Sequence, residues 1–249
     1  MSGHSKWKTI QHKKGTADAK RGKIFSRMSK ELMIVAKAGG GNPDTNASLR
    51  TTIAKARAAN MPMDNIERAI KKGTGELESA TLEEILYEGF AEGGVGLVVK
   101  ILTDNKNRAA AEIRHIFTRN NSSFAAQGAV SRGFRRRGQI YVAVAGTDEE
   151  KLMNTALEAG AEDMRQDGDH FEILTEPGVF PAVMEALEKA GFKTEDSEIR
   201  YVPDNYVPVT DPAVAKSVMR FVEALEENDD VQDVYTNMDV DDSLLSKLE

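Results

Sequence analysis

The chain has 249 residues, 40% of them hydrophobic, with 33 Lys and Arg against 40 Asp and Glu and no cysteine. The length suggests two or three compact domains; the apolar fraction excludes a wholly disordered chain; the missing thiols exclude disulfides, thiolate metal sites and cysteine nucleophiles, and suit a reducing cytoplasm. Charge is polarised, with 16 Lys and Arg against 5 Asp and Glu in residues 1–72 (net +11) and 17 against 35 in residues 73–249 (net −18).

A polarity of this kind implies an anionic partner at the basic end, a solvated basic surface being the plainer alternative. The start, MSGHSKWKTIQHKK, has no apolar h-region. Gly3 stands one place late for myristoylation, and no apolar run approaches a membrane span. The expectation is a cytoplasmic protein that does not engage a membrane.

Residues 1–15 read as a polar, basic arm. A helix is expected from Thr16 to the Gly39-Gly40-Gly41 breaker. At about 100° per residue, Ile24, Phe25, Met28, Leu32, Val35 and Ala36 share one face, and Lys20, Lys23, Arg27, Lys30 and Lys37 the opposite one. Ile34 falls in the basic arc and Arg21 in the apolar arc. A second helix is expected over 47–59, with Leu49, Ile53 and Ala56 on its inner side. Pro62 interrupts it, and a third helix follows over 63–72, capped near Asp64, stopped by Gly73 and burying Ile66, Ala69 and Ile70.

Beyond Gly75 the pattern shifts to short strands. ILYEGF and VGLVVKIL flank a Glu92-Gly93-Gly94 turn, and a helix over 106–119 is expected to take its cap from Asp104. Next come strand GQIYVAV, helix EEKLMNTALEAG, strands EDMRQ and HFEILT around Asp167-Gly168, helix FPAVMEALEKAG and strand EIRYVP. That order, βαββαβ, is the ferredoxin-like split motif. A strand near YVPV, a helix near AVAKSVMRFVEALE and a strand near VQDVYTN close the chain. The pattern therefore predicts an α+β multidomain protein. A basic arm and three-helix domain (1–75) is followed by a discontinuous α+β domain (76–133 and 205–249), into which a ferredoxin-like βαββαβ domain (134–204) is inserted.

Catalytic signatures are absent. No phosphate-binding G-x-x-x-x-G-K-[ST], no G-x-S-x-G and no H-E-x-x-H occurs. Asp163–Gly168 has the outline of a calcium loop, but Arg165 and Leu174 stand where ligands are needed. His4 and His12 are poorly spaced for a metal. Asp229-Asp230 and Asp239, Asp241 and Asp242 could hold magnesium, with a loop and a solvated tail as the simpler reading. No cofactor and no metal site is expected.

The arm differs in kind. Trp7 lies between Lys6 and Lys8, with His12, Lys13 and Lys14 close by. Lysines neutralise phosphates and release counterions, and an indole can stack on an unpaired base or pin the arm to the body. Lys20, Arg21, Lys23, Arg27 and Lys30 would extend this basic surface along the first helix. Arg132, Arg135, Arg136 and Arg137, in SRGFRRRG, are expected on a loop at the joint into the inserted domain, as phosphate contacts or as part of a hinge. Arg108, Glu112, His115 and Arg119 form a stripe, as a charge lattice or as a functional face.

GHSKWKTIQHKKGTADAKRGKIFSRMSKEL, GGG-NP, NIERAIKKG, YEGF-EGG, LTDNKNR-AAEIRH, LEAGAED and VQDVYTN together resemble the YebC family over nearly the whole chain. The resemblance implies three domains around a cleft: one helical, two α+β. It implies a regulatory role, since bacterial members are labelled probable transcriptional regulators that bind DNA. The mitochondrial relative is a translational activator, and bacterial members are also linked to relief of ribosome stalling. None is an established enzyme. The stretch NSSFAAQGAVSRGFRRRG departs from the family pattern, which has serine where Ala129 stands and apolar residues near Arg132-Gly133. The reading is a non-enzymatic nucleic-acid-binding regulator that meets rRNA or tRNA on the ribosome. DNA-binding transcriptional regulation, with residues 47–59 and 63–72 as a helix-turn-helix, is the alternative. A metal-dependent hydrolase using the acidic clusters is a remote third.

Overall fold

Helix α1 (Ala17–Gly39) opens the described part of the chain, which in this computed structural model comprises residues 17–241 and Leu244. Asn46 joins α1 to α2 (Ala47–Ala58). Its Oδ1 accepts from Leu49 N at 3.0 Å as the N-cap, while Nδ2 donates to Val35 O at 2.9 Å and Gly40 O at 2.8 Å. One buried side chain thus caps the start of α2 and ties it to the end of α1. Helix α3 (Met63–Thr74) begins directly after Pro62, which supplies no side-chain cap. Asp64 lies one residue inside the helix, not at its cap, where its charge still suits the N-terminal dipole.

Leu32, Ala36, Leu49, Ala56, Met61, Ile66 and Ala69 form the core of these helices, with Phe25, Met28, Val35, Ile53 and Ile70 packed against it. Gly73 lets α3 touch α1: a Cβ there would stand 2.4 Å from Met33 O. Ile24, expected on the apolar face, is 40% exposed. The core centres on Leu32 and Ala36, a turn or more beyond it.

Strands β1 (Glu83–Phe90) and β2 (Gly96–Thr103) pair antiparallel around the expected glycine turn. Every residue of β2 except Lys100 is buried, as expected of a strand covered on both faces. Helix α4 (Lys106–Arg119) takes its cap from Asn105, whose Oδ1 accepts from Arg108 N at 3.1 Å. The cap is one residue later than expected because Asp104 pairs with the Arg108 guanidinium instead, at 3.0 Å. The short strand β3 (Ser123–Ala125) adds to the outer side of β1.

The chain then leaves this sheet for a second one. Strand β4 (Phe134–Ala143), α5 (Glu149–Glu158), β5 (Asp163–Asp167), β6 (His170–Thr175), α6 (Phe180–Lys189) and β7 (Thr194–Pro203) build a sheet in the order β5-β6-β4-β7, the ferredoxin-like arrangement. Ile140, Val142, Phe171 and Ile173 meet Leu152, Ala156, Val183 and Leu187 in its core. After the short β8 (Val207–Pro208), helix α7 (Pro212–Glu226) and strand β9 (Val231–Thr236) return to the first sheet, whose order is β3-β1-β2-β9. A two-residue strand, β10 (Met238–Asp239), pairs with β8. Leu97, Val99 and Ile101 pack on Ile113, Phe117, Val218, Phe221 and Leu225 of α4 and α7. The ferredoxin-like unit is thus inserted into the other α+β unit. Val98, Val130, Phe134 and Tyr235, with Leu86 and Tyr201, form an apolar seam between them.

Candidate nucleic-acid interface

Three residues of the basic face of α1, Lys23, Arg27 and Lys30, meet protein. Lys23 Nζ donates to Glu227 O at 2.6 Å, and Arg27 Nη2 donates to Glu226 O. These carbonyls end α7, where the helix dipole places partial negative charge and cations are favoured. One turn further along, Lys30 Nζ donates to Leu102 O at 3.1 Å, Asp229 O at 2.8 Å and Asp230 Oδ1 at 2.7 Å. All the donors of this ammonium have partners.

Asp230 is the centre of that contact. It is buried, and it accepts also from Thr103 Oγ1 at 2.9 Å and Arg108 Nη2 at 2.8 Å. Burial pushes its carboxyl upward, but the hydrogen bonds from Arg108, Lys30 and Thr103 outweigh it and hold the group below its ordinary range. Arg108, first of the α4 stripe, is thereby part of the body's own charge lattice, bonded also to Asp104, while His115 and Arg119 are exposed.

A second charged contact joins the helical unit to the inserted one. Lys55 Nζ of α2 lies 3.1 Å from Glu198 Oε2 of β7, whose other oxygen lies 2.7 Å from Arg200 Nη2. Burial would lower the Lys55 ammonium, yet Glu198 and Glu31 hold it above its ordinary value. Glu31 of α1 feels the opposite balance. Burial raises its carboxyl, Asp233 and Glu198 add to the rise, and Lys55 and Lys100 only partly offset it.

The arginine run does not lie on a loop. Arg135, Arg136 and Arg137 belong to β4, paired with Val202, Tyr201 and Arg200 of β7, while Arg132 lies in the 3-10 turn Ser131–Gly133 before it. Glycines flank the run, but Phe134 buries and the ladder continues through it, so the polar residues ride on a strand. Arg135 pairs with Asp204 at 2.8 Å and Arg137 with Glu162 at 2.6 Å; Arg132 and Arg136 are exposed. Lys6, Trp7, Lys8, His12, Lys13 and Lys14 lie outside the described residues. Lys20 and Arg21 are on the described backbone of α1, but their side chains are not described.

Several buried charges escaped the sequence reading. Glu88 of β1, 2% exposed, accepts from the backbone N–H groups of Gly128, Val130 and Ser131 and from Ser131 Oγ, at 2.7–2.9 Å. Burial raises its carboxyl, but these four bonds prevail and lower it. Glu172 of β6 is likewise buried, accepting from Gln139, Tyr141 and Arg165. The available signal was a carboxylate set among apolar strand residues: Glu88 between Tyr87 and Phe90 in β1, and Glu172 between Phe171 and Ile173 in β6. Among the described residues no group of three or more His, Asp or Glu is placed to hold a metal, and no helix is long and apolar enough to cross a membrane.

Residues 5–76 match the family described as TACO1/YebC protein N-terminal domain, and residues 82–238 the one described as TACO1/YebC second and third domain. A probable transcriptional regulatory protein of Desulfatibacillum aliphaticivorans is 53% identical, covering 99% of this chain and 100% of that one. A protein of the same description from Treponema pallidum strain Nichols is 51% identical over 98% of this chain and 100% of its own. The crystal structure of a conserved hypothetical protein, Aq1575, from Aquifex aeolicus has a TM-score of 0.82 and 44% identity, covering 94% of this chain and 96% of that chain. With both matched segments in chain order and half the residues shared along its whole length, the chain belongs to the TACO1/YebC family.

Proposed function

We propose that this protein is a non-enzymatic, cytoplasmic regulator of gene expression that binds nucleic acid, with RNA of the ribosome as its target. One observation carries the reading: a net charge of +11 in residues 1–72 against −18 in the rest. The acidic remainder repels a polyanion, so binding must be local. With Lys23, Arg27 and Lys30 turned to the protein's own carbonyls and to Asp230, the phosphate contacts fall to Lys6, Lys8, Lys13, Lys14, Lys20 and Arg21. Trp7 and His12 supply stacking and hydrogen bonds to bases, and Arg132 and Arg136 a secondary patch. The carbonyl and Asp230 contacts serve by fixing α1, the helix that continues from the arm.

The relatives' description as probable transcriptional regulatory proteins favours a second reading, DNA. A helix-turn-helix of α2 and α3 would lead with the start of α3. That end carries the exposed Asp64 and Glu67, which oppose phosphate, so RNA is preferred.

Crosslinking in cells followed by sequencing of the bound nucleic acid tests the choice. Ribosomal or transfer RNA should dominate; promoter DNA with those RNAs absent would overturn it. In vitro, six phosphate contacts on a single strand give a slope of log K against log salt of about −4. Neutralising the six arm and α1 cations should flatten that slope.

A further inference from the structure

Strand β1 is covered unequally. On one side all of Glu83–Phe90 pairs with β2; on the other only Glu88, Gly89 and Phe90 pair, with Ala125, Phe124 and Ser123 of β3. Among the described residues no strand lies against that side from Glu83 to Tyr87. The cause is local. After Ala125 the chain turns away from β1, with Gly128 at φ 85°, and Glu88 accepts from the N–H groups of Gly128, Val130 and Ser131, so β3 has three residues.

Where β3 stops, a groove of about 720 Å³ opens along the edge, walled by the successive residues Glu84–Glu88, by Phe124–Gln127 and by Arg114. An unpaired strand edge offers alternating N–H and C=O groups, which only another extended polypeptide matches in full. Toward the helices the groove is aromatic: the Tyr87 and Phe124 rings lie 5.5 Å apart, and the Arg114 guanidinium stands 5.2 Å from the Phe124 ring. At its far end stand the carboxylates of Glu83 and Glu84, 52% and 45% exposed, each near a single lysine, Lys106 at 2.5 Å and Lys100 at 3.7 Å.

We propose that this edge receives a strand from a protein partner: an extended, basic segment, laid end to end with β3, with an apolar residue toward Tyr87 and Phe124. Charge selects the occupant. Residues 73–249 carry a net −18, and Glu83 and Glu84 stand on the first of the open rungs, so a basic segment is attracted. A second copy would instead bring another unit of net −18 against this one. The proposal is independent of the nucleic-acid reading.

The test uses the full-length ¹⁵N-labelled chain and a synthetic decapeptide of alternating lysine and valine, with two isomers N-methylated at every valine or at every lysine. Saturable shifts centred on the Glu83–Tyr87 amides are expected. One isomer should bind about ten-fold or more weakly and the other nearly as well as the parent, because alternate N–H groups of an added strand face β1. Glu83→Lys with Glu84→Lys, both at exposed sites, should weaken binding while leaving the far-UV spectrum unchanged. No binding, shifts centred elsewhere, or equal behaviour of the isomers would overturn the proposal. So would a dimer in sedimentation lost in the charge-reversed variant, or tighter binding at the same amides of a peptide of residues 1–16, since each names a different occupant.

Discussion

Lys30 and Asp230 lie 200 residues apart in sequence and 2.7 Å apart in space. The pair fastens the helical unit to the first sheet, and the carboxylate is 8% exposed. Lys30→Met keeps the stem and removes the charge, leaving Asp230 with Arg108 and Thr103. Urea unfolding should report a loss of about 2–3 kcal/mol. An unchanged midpoint would mean that the contact contributes nothing.

Glu88→Gln removes the charge that gathers the Gly128, Val130 and Ser131 N–H groups. A loss of about 2–3 kcal/mol is expected, with faster hydrogen exchange at those amides. The folded carboxyl titrates below its ordinary value, so its stabilisation is present above the unfolded value near ~4.3 and disappears as pH falls through the folded one. The gap between variant and parent should close in acid.

Glu31 has the opposite sign. Its folded carboxyl is raised, by burial first, so its burden on the fold is absent below the unfolded value near ~4.3 and grows as pH rises through the folded one. Glu31→Gln should raise the urea midpoint at pH 7 and leave it nearly unchanged near pH 4. Equal gains at both pH values would contradict this.

Gly89 lies where β1 passes under α4: a Cβ there would stand 2.1 Å from Phe117 Cε1 and 2.4 Å from Ser123 O. Because one neighbour is backbone, repacking alone cannot relieve the clash. Gly89→Ala should cost about 3 kcal/mol or more, measured by thermal unfolding.

The arginine run divides by partner. If RNA binds there, Arg132→Gln with Arg136→Gln should weaken it more than Arg135→Gln with Arg137→Gln, because the latter two are engaged by Asp204 and Glu162. Fluorescence anisotropy with a labelled single strand decides; the reverse order would remove Arg132 and Arg136 from the interface.

Local patterns carried much of the fold. The 106–119 helix appears with the expected bounds, and the βαββαβ order is legible because each element has its own period. The strand Ser123–Ala125 was not legible: three residues show no period, and the turn that follows them is held in part by Glu88, some 40 residues earlier. The lysine face of α1 illustrates a different limit. Periodicity separates its apolar from its charged side, but what sits opposite the charges depends on residues 226–230, about 200 positions away. Spacing alone does not distinguish a lysine awaiting a phosphate from one already bound to a carbonyl.

The inserted unit departs and returns on neighbouring rungs. Phe134 faces Pro203, and Asp204 N donates to Gly133 O at 2.8 Å. Entry and exit are thus about one strand spacing, ~4.8 Å, apart. The lobe is accordingly a cassette on a two-stranded stalk. Excising it would require a tight turn to reconnect the chain and polar replacements for Leu86, Val98, Val130 and Tyr235, whose cover it provides, and would leave Lys55 without Glu198.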